Sequence, residues 1–132
     1  VLLQKLVEEK YDVLLETSGS LSIKNVPKKV VNIIDFKCPS SKMMKKNLWD
    51  NINYIKQKDE IKFVIGNKED YDWAKDMIDK YNLHKICPIL FSPVYNQIDI
   101  KVLSDWILED GLNVRFQIQL HKHIWGPDVS GV

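Results

Sequence analysis

Val30-Val-Asn-Ile-Ile-Asp-Phe36 is a β-branched run with a single charge, the clearest strand in this chain of 132 residues. It gives way to Lys37-Cys-Pro-Ser-Ser41, where a proline and two serines signal a turn. Outward from this strand, helical and strand periodicities alternate. Residues 21–29 form a connector, because Pro27 argues against a strand centre. Residues 11–15 form a short apolar strand that ends at Glu16-Thr-Ser-Gly-Ser20. Ahead of it, Leu2, Leu3, Leu6 and Val7 make the apolar stripe of an opening helix.

The alternation continues towards the carboxyl end. Leu48, Trp49, Ile52 and Ile55 recur at helical spacing within residues 47–56, and residues 61–65 form a third strand closed by Gly66-Asn67. Tyr71, Ala74, Met77, Ile78 and Tyr81 predict the inner face of a helix over 69–81. Residues 86–91 are a fourth strand ending at Ser92-Pro93. Residues 98–109 are a helix stopped by Gly111. A last strand over 113–120 points Arg115, Gln117 and Gln119 one way and Phe116, Ile118 and Leu120 the other. Strands separated by helices of this size predict parallel βαβ units in an α/β fold.

Bulk properties exclude several classes. Nineteen basic residues against eighteen acidic ones leave a net charge of +1, which offers no electrostatic case for nucleic acid or a membrane surface. Apolar runs such as residues 30–34 are far too short to span a bilayer. No secretory signal pattern precedes the charged opening helix, so a cytoplasmic location is expected. Cys38 and Cys87 lie far apart without metal-ligand spacing and read as reduced thiols. His121 and His123 share one side of an extended segment, but no carboxylate or thiol neighbours them to complete a metal site.

The polar residues gather just after strands. Glu16, Asp35-Phe36-Lys37, Ser92 and His121-Lys122 all fall where a strand hands over to the next element. In parallel α/β folds these carboxyl ends converge on one edge, where ligands bind. Simpler explanations stand beside this one. Glu16 and Thr17 fit solvated turn chemistry, and Asp35 with Lys37 fits a surface ion pair worth little.

Taken in order, Glu16-Thr-Ser-Gly-Ser20, Asp35-Phe-Lys-Cys-Pro-Ser-Ser41, Lys62-Phe-Val-Ile65, Ser92-Pro93 and Gln117-Ile-Gln-Leu-His-Lys122 resemble the 7-carboxy-7-deazaguanine synthase family. These are radical S-adenosylmethionine enzymes of deazapurine (queuosine and archaeosine) biosynthesis. The resemblance implies a partial (βα) barrel with parallel strands and outer helices. Residues 1–132 would be the carboxyl-terminal part of that single domain, with the amino-terminal units missing. It implies a lyase that converts 6-carboxy-5,6,7,8-tetrahydropterin to 7-carboxy-7-deazaguanine with loss of ammonia.

S-adenosyl-L-methionine, a 4Fe-4S cluster and Mg²⁺ would serve the complete enzyme. The cluster and Mg²⁺ ligands would lie outside this chain, leaving the fragment inactive alone. By the same resemblance Glu16, Thr17, His121 and the terminal Val132 would bind the pterin-type substrate. Asp35, Phe36, Lys37, Ser92, Pro93 and Val94 would bind S-adenosylmethionine, and the enzyme would be a homodimer. The tail Pro127-Asp-Val-Ser-Gly-Val132 departs from some branches of the family. Two alternatives stay open: a fragment of a glycyl-radical activating enzyme, or a non-enzymatic α/β ligand-binding module.

Overall fold

Residues 1–131 are described by a computed structural model. Five parallel strands pair in strict sequence order: β1 (Leu14–Thr17), β2 (Val31–Phe36), β3 (Glu60–Ile65), β4 (Ile89–Pro93) and β5 (Arg115–Phe116). The helices are α1 (Leu2–Glu8), α2 (Lys68–Lys80), α3 (Ile100–Glu109) and α4 (Leu120–Trp125). The expected α/β class with a parallel sheet is therefore what the chain adopts. No helix among the described residues is long and apolar enough to cross a membrane.

Sequential parallel pairing has a physical corollary. Crossovers of constant hand all lie on the same side of such a sheet. The core follows that rule. Ile34 and Phe36, Ile61, Phe63 and Ile65, then Ile89 and Phe91 cluster with Tyr71, Ala74 and Ile78 of α2 and with Leu103 of α3. The alternate side chains of β2 and β3, Val31, Ile33, Asp35, Glu60, Lys62 and Val64, are only half-buried on the opposite face. Each strand thus carries two messages at its period of two.

The helix side is locked by aromatic and polar contacts. Trp49 stacks between Phe36 and Tyr81, with ring centroids 4.6 Å from each. The Tyr71 hydroxyl donates to the Trp106 carbonyl at 2.8 Å and to Asp110 at 2.7 Å, joining α2 to α3. Burial and the nearby Asp110 push the Tyr71 phenol upward, so it remains a donor. At the amino ends of the strands the fully buried Asp59 accepts from the Asn32 backbone N–H (2.9 Å), the Asn32 amide (3.2 Å), the Lys56 N–H (2.8 Å) and the Lys56 ammonium (2.9 Å).

Four segments differ from their sequence expectation. The first strand, expected over 11–15, lies at Leu14–Thr17, so Glu16 and Thr17 belong to it and do not follow it. Residues 47–56 hold no α-helix but a 3₁₀ stretch, Trp49–Tyr54. Within it the buried Asn51 side chain turns away to serve the long β1–β2 connector. It accepts from the Ile23 N–H and donates to the Gly19 and Leu21 carbonyls. The fourth strand is shifted to Ile89–Pro93, because Leu83–Lys85 forms another 3₁₀ turn ahead of Pro88.

The last strand is the largest departure. Only Arg115 and Phe116 pair, and residues expected to extend that strand instead open α4 at Leu120. Its final ladder bond runs from the Gln117 N–H to the Phe91 carbonyl at 2.9 Å. The next parallel bond would require an N–H at position 93, which proline lacks. His121 is consequently a helical residue, not the end of a strand.

Candidate functional site

The face turned away from α2 and α3 gathers the charged strand residues. Register places Asp35 beside Lys62, Lys62 beside Leu90, and Val64 beside Ser92. Three ion pairs cross this face. Lys37 donates to Asp35 at 2.6 Å, Lys62 to Glu16 at 2.8 Å, and Arg115 to Glu60 at 2.9 Å. Glu16, Asp35, Lys37 and Ser92, four of the residues expected at strand ends, therefore do share one surface.

Two atoms here are unusual. Asp35 Oδ1 and Ser92 Oγ are buried and have no hydrogen-bond partner among the described residues. Leaving such a group unpaired costs about 1–3 kcal/mol, so each marks a place where a ligand atom would be welcome. A cleft of about 350 Å³ opens at Asp35; Ser92 does not line it and sits on the neighbouring strand beside Val64. Asp35, Lys37, Cys38, Ser40 and Ser41 line the cleft together with Val64, Val94, Gln97 and Gln119. A larger depression, about 670 Å³, opens around Gln57, His84 and Lys85 near Pro88, at the amino ends of the strands. None of its lining residues carries an unpaired buried atom, so the smaller cleft is the stronger site.

The cleft's rim is built by a buried carboxylate. Asp70 accepts from the Ser40 N–H (2.9 Å), the Ser40 hydroxyl (2.5 Å) and the Gly66 N–H (2.9 Å), tying the loop after β2 to the loop after β3. Gly66 is closely packed: a Cβ there would stand 3.0 Å from Gln97 Oε1 and 3.2 Å from Ser40 Oγ and Asp70 Oδ2, so these side chains would have to give way. Asp70→Ala is expected to lower stability by about 1–3 kcal/mol, because it strands buried donors. A lower urea midpoint with faster amide exchange at Ser40 and Gly66 is the check; unchanged exchange there would show that the loops do not depend on Asp70.

Other expected site residues stand elsewhere. The Phe36 ring is fully buried on the helix side and does not face the cleft. Pro93 is buried, and Thr17 points away from Glu16 while its hydroxyl accepts from the Gly19 N–H at 3.4 Å. That bond is turn chemistry, and Gly19 sits at φ +69° with a Cβ position only 3.1 Å from Ile34, so the turn needs glycine. His121 is half-buried on α4 and does not line the cleft. It is His123 that reaches the loop after β4, with its ring 5.2 Å from that of Tyr95. Val132 lies outside the described residues.

Sequence reasoning passed over Lys62, Ser40, Asp70 and Gln97. A lysine inside the otherwise apolar Ile61-Lys-Phe-Val-Ile65 was the available signal for the first. Asp70 was hidden because Asn67-Lys-Glu-Asp70 resembles an ordinary helix start, and Asn67 does accept the Asp70 N–H at 2.9 Å.

The thiols are poorly suited to metal or redox work. Burial, with Asp70 and Asp35 adding to it, pushes the Cys38 thiol far up, and burial takes Cys87 up to about 12. Among the described residues no three His, Cys, Asp or Glu side chains converge on a common point.

No family model matches the chain. Relatives do. A 7-carboxy-7-deazaguanine synthase of Koribacter versatilis is 37% identical over 143 aligned positions, covering 98% of this chain and 63% of the relative. The synthase of Chlorobaculum tepidum is 41% identical, covering 99% of this chain and 61% of its own length. That of Thermoplasma acidophilum is 38% identical over 92% of this chain and 57% of the relative. The chain spans roughly three-fifths of the length of the curated relatives it matches. Over the stretch that it spans, the chain belongs to the 7-carboxy-7-deazaguanine synthase family.

Proposed function

We propose that this chain forms part of a radical S-adenosylmethionine lyase, one that makes 7-carboxy-7-deazaguanine from 6-carboxy-5,6,7,8-tetrahydropterin with loss of ammonia. Its sheet would be one wall of a partial (βα) barrel, with the charged face turned to the lumen. Sequential parallel strands with helices on one side suit that architecture. The carboxyl-terminal placement within a longer enzyme and the homodimer belong to the same proposal; the mass of the complete enzyme in solution tests the dimer.

The observation that carries the assignment is the unpartnered Asp35 Oδ1 in the cleft wall, with the unpartnered Ser92 Oγ on the same sheet face. They fit the adenosyl part of the cofactor. Asp35 Oδ1 is an acceptor for a ribose hydroxyl, the Ser92 hydroxyl can donate or accept, and Val64 and Val94 offer apolar contact to an adenine ring. Lys37 neutralises Asp35 from its other oxygen and so keeps Oδ1 free to bind. Bound S-adenosylmethionine supplies the hydrogen-abstracting chemistry. The chain's part is to orient it and to place Glu16 for the pterin.

Glu16 is suited to that second task. The guanidine-like N–H groups of a pterin match carboxylate oxygens in both charge and spacing. The residues present do not fit a four-iron cluster, because the two cysteines are buried and, among the described residues, no third ligand joins them. No step is assigned to them, and the proposal leaves this stretch inactive alone.

In the complete, cluster-loaded enzyme, Asp35→Asn is expected to weaken S-adenosylmethionine binding about tenfold, the scale of one charge-assisted hydrogen bond. Calorimetric titration measures it. Affinity equal to that of the parent enzyme would remove Asp35 from the cofactor site, and the assignment of the cleft with it.

A further inference from the structure

We infer that Lys62 is a positioning residue, whose task is to aim the Glu16 carboxylate at the bound pterin. The inference rests on the proposed role of Glu16 as the pterin acceptor and adds the device that holds it. Glu16 stands on β1, which pairs with β2 on one side only, and its side chain is 60% exposed. A carboxylate so placed would sample many rotamers.

Lys62 removes that freedom. It starts on β3, crosses above β2, and places its ammonium 2.8 Å from Glu16 Oε1. Its own side chain is only 15% exposed, so the long stem lies along the sheet face and not in solvent. The contact is therefore asymmetric, with a confined lysine gripping an exposed glutamate. An ordinary surface ion pair has two mobile ends and contributes little.

The grip leaves the acceptor usable. Among the described residues Oε2 of Glu16 has no partner, and Oε1 keeps a second lone pair beside the ammonium. Lys62 is also the register neighbour of Asp35. One lysine thus stands between the residue proposed for the cofactor and the residue proposed for the substrate.

The test is steady-state kinetics of the complete enzyme at saturating S-adenosylmethionine, with the pterin substrate varied. Lys62→Met is expected to raise KM about tenfold with kcat little changed, as for loss of ground-state binding. Lys62→Arg, which keeps a cation of similar reach, recovers most of it. Lys62→Gln serves as a second removal should the methionine variant fold poorly.

The double variant Glu16→Gln with Lys62→Met is expected to be no worse than Glu16→Gln alone, because Lys62 acts through Glu16. Multiplied effects in the double variant would overturn the inference, as would a normal KM in Lys62→Met alongside a raised KM in Glu16→Gln. Failure of the underlying assignment looks different: Glu16→Gln would itself bind the pterin normally.

Discussion

Phe36→Ala is expected to destabilise the fold by about 3–5 kcal/mol, the usual consequence of emptying a fully buried aromatic site. The ring has no exposure and stacks on Trp49 at 4.6 Å, with Phe63 at 6.3 Å. Trp49 in turn stacks on Tyr81 and leans on Trp73, so the cavity would open at the middle of an aromatic chain. The ring also backs the glycine turn after β1, since a Cβ on Gly19 would stand 3.4 Å from it. Against a total stability of about 5–15 kcal/mol for a domain, such a loss leaves little reserve. Urea unfolding followed by tryptophan fluorescence measures it.

The milder Phe36→Leu separates two roles for this position. It is expected to lower stability while leaving S-adenosylmethionine affinity in the complete enzyme unchanged, because the side chain faces the helices. A selective loss of cofactor affinity without loss of stability would return the ring to the site.

The second large effect concerns Asp59. Desolvation raises its carboxyl, but the Asn32 N–H, the Lys56 ammonium and N–H, and the Asn32 amide outweigh this and hold it below its ordinary value of 3.8. A group depressed in the folded state contributes stability that is present above its unfolded pKa. That contribution is lost as pH falls through the folded value. Acid unfolding should therefore steepen below about pH 4, where an unfolded carboxylate takes up its proton.

Asp59→Ala is expected to remove about 3–5 kcal/mol at neutral pH, since it leaves the buried Asn32 donors and the Lys56 charge without their acceptor. Asp59→Asn keeps the size and should flatten the acid limb. Thermal midpoints between pH 3 and pH 7 decide the matter: an Asn variant with the parent's acid slope would show that Asp59 does not set it.

These two residues also show what the sequence made legible. The β-branched run ending in Phe36 announced its strand correctly, and Ile61 to Ile65 did the same. Period-two alternation does not say which side meets helices, so Asp35, Phe36 and Lys37 read as one ligand segment although they divide between two faces. Hydrophobic spacing at Leu48, Trp49, Ile52 and Ile55 suggested an α-helix. The tertiary bonds of Asn51 held the backbone in a tighter turn, a long-range cause that no local window contains.

Ladder chemistry was similarly remote for β5. What shortens it is a proline on a different strand, 22 residues earlier than Arg115. Site chemistry was partly visible, because the carboxyl ends of parallel strands must converge. The contributions of Lys62 and Asp70 depend on contacts 46 and 30 residues away in the chain.

The strict division of each strand between its two faces has an engineering consequence. Positions 33, 35, 60, 62 and 64 form a writable surface whose letters can be exchanged with little reference to those at 34, 36, 61, 63 and 65. A combinatorial library confined to the first set would explore new ligand chemistries on an unaltered scaffold, whereas one that mixed the sets would mostly select for survivors of misfolding.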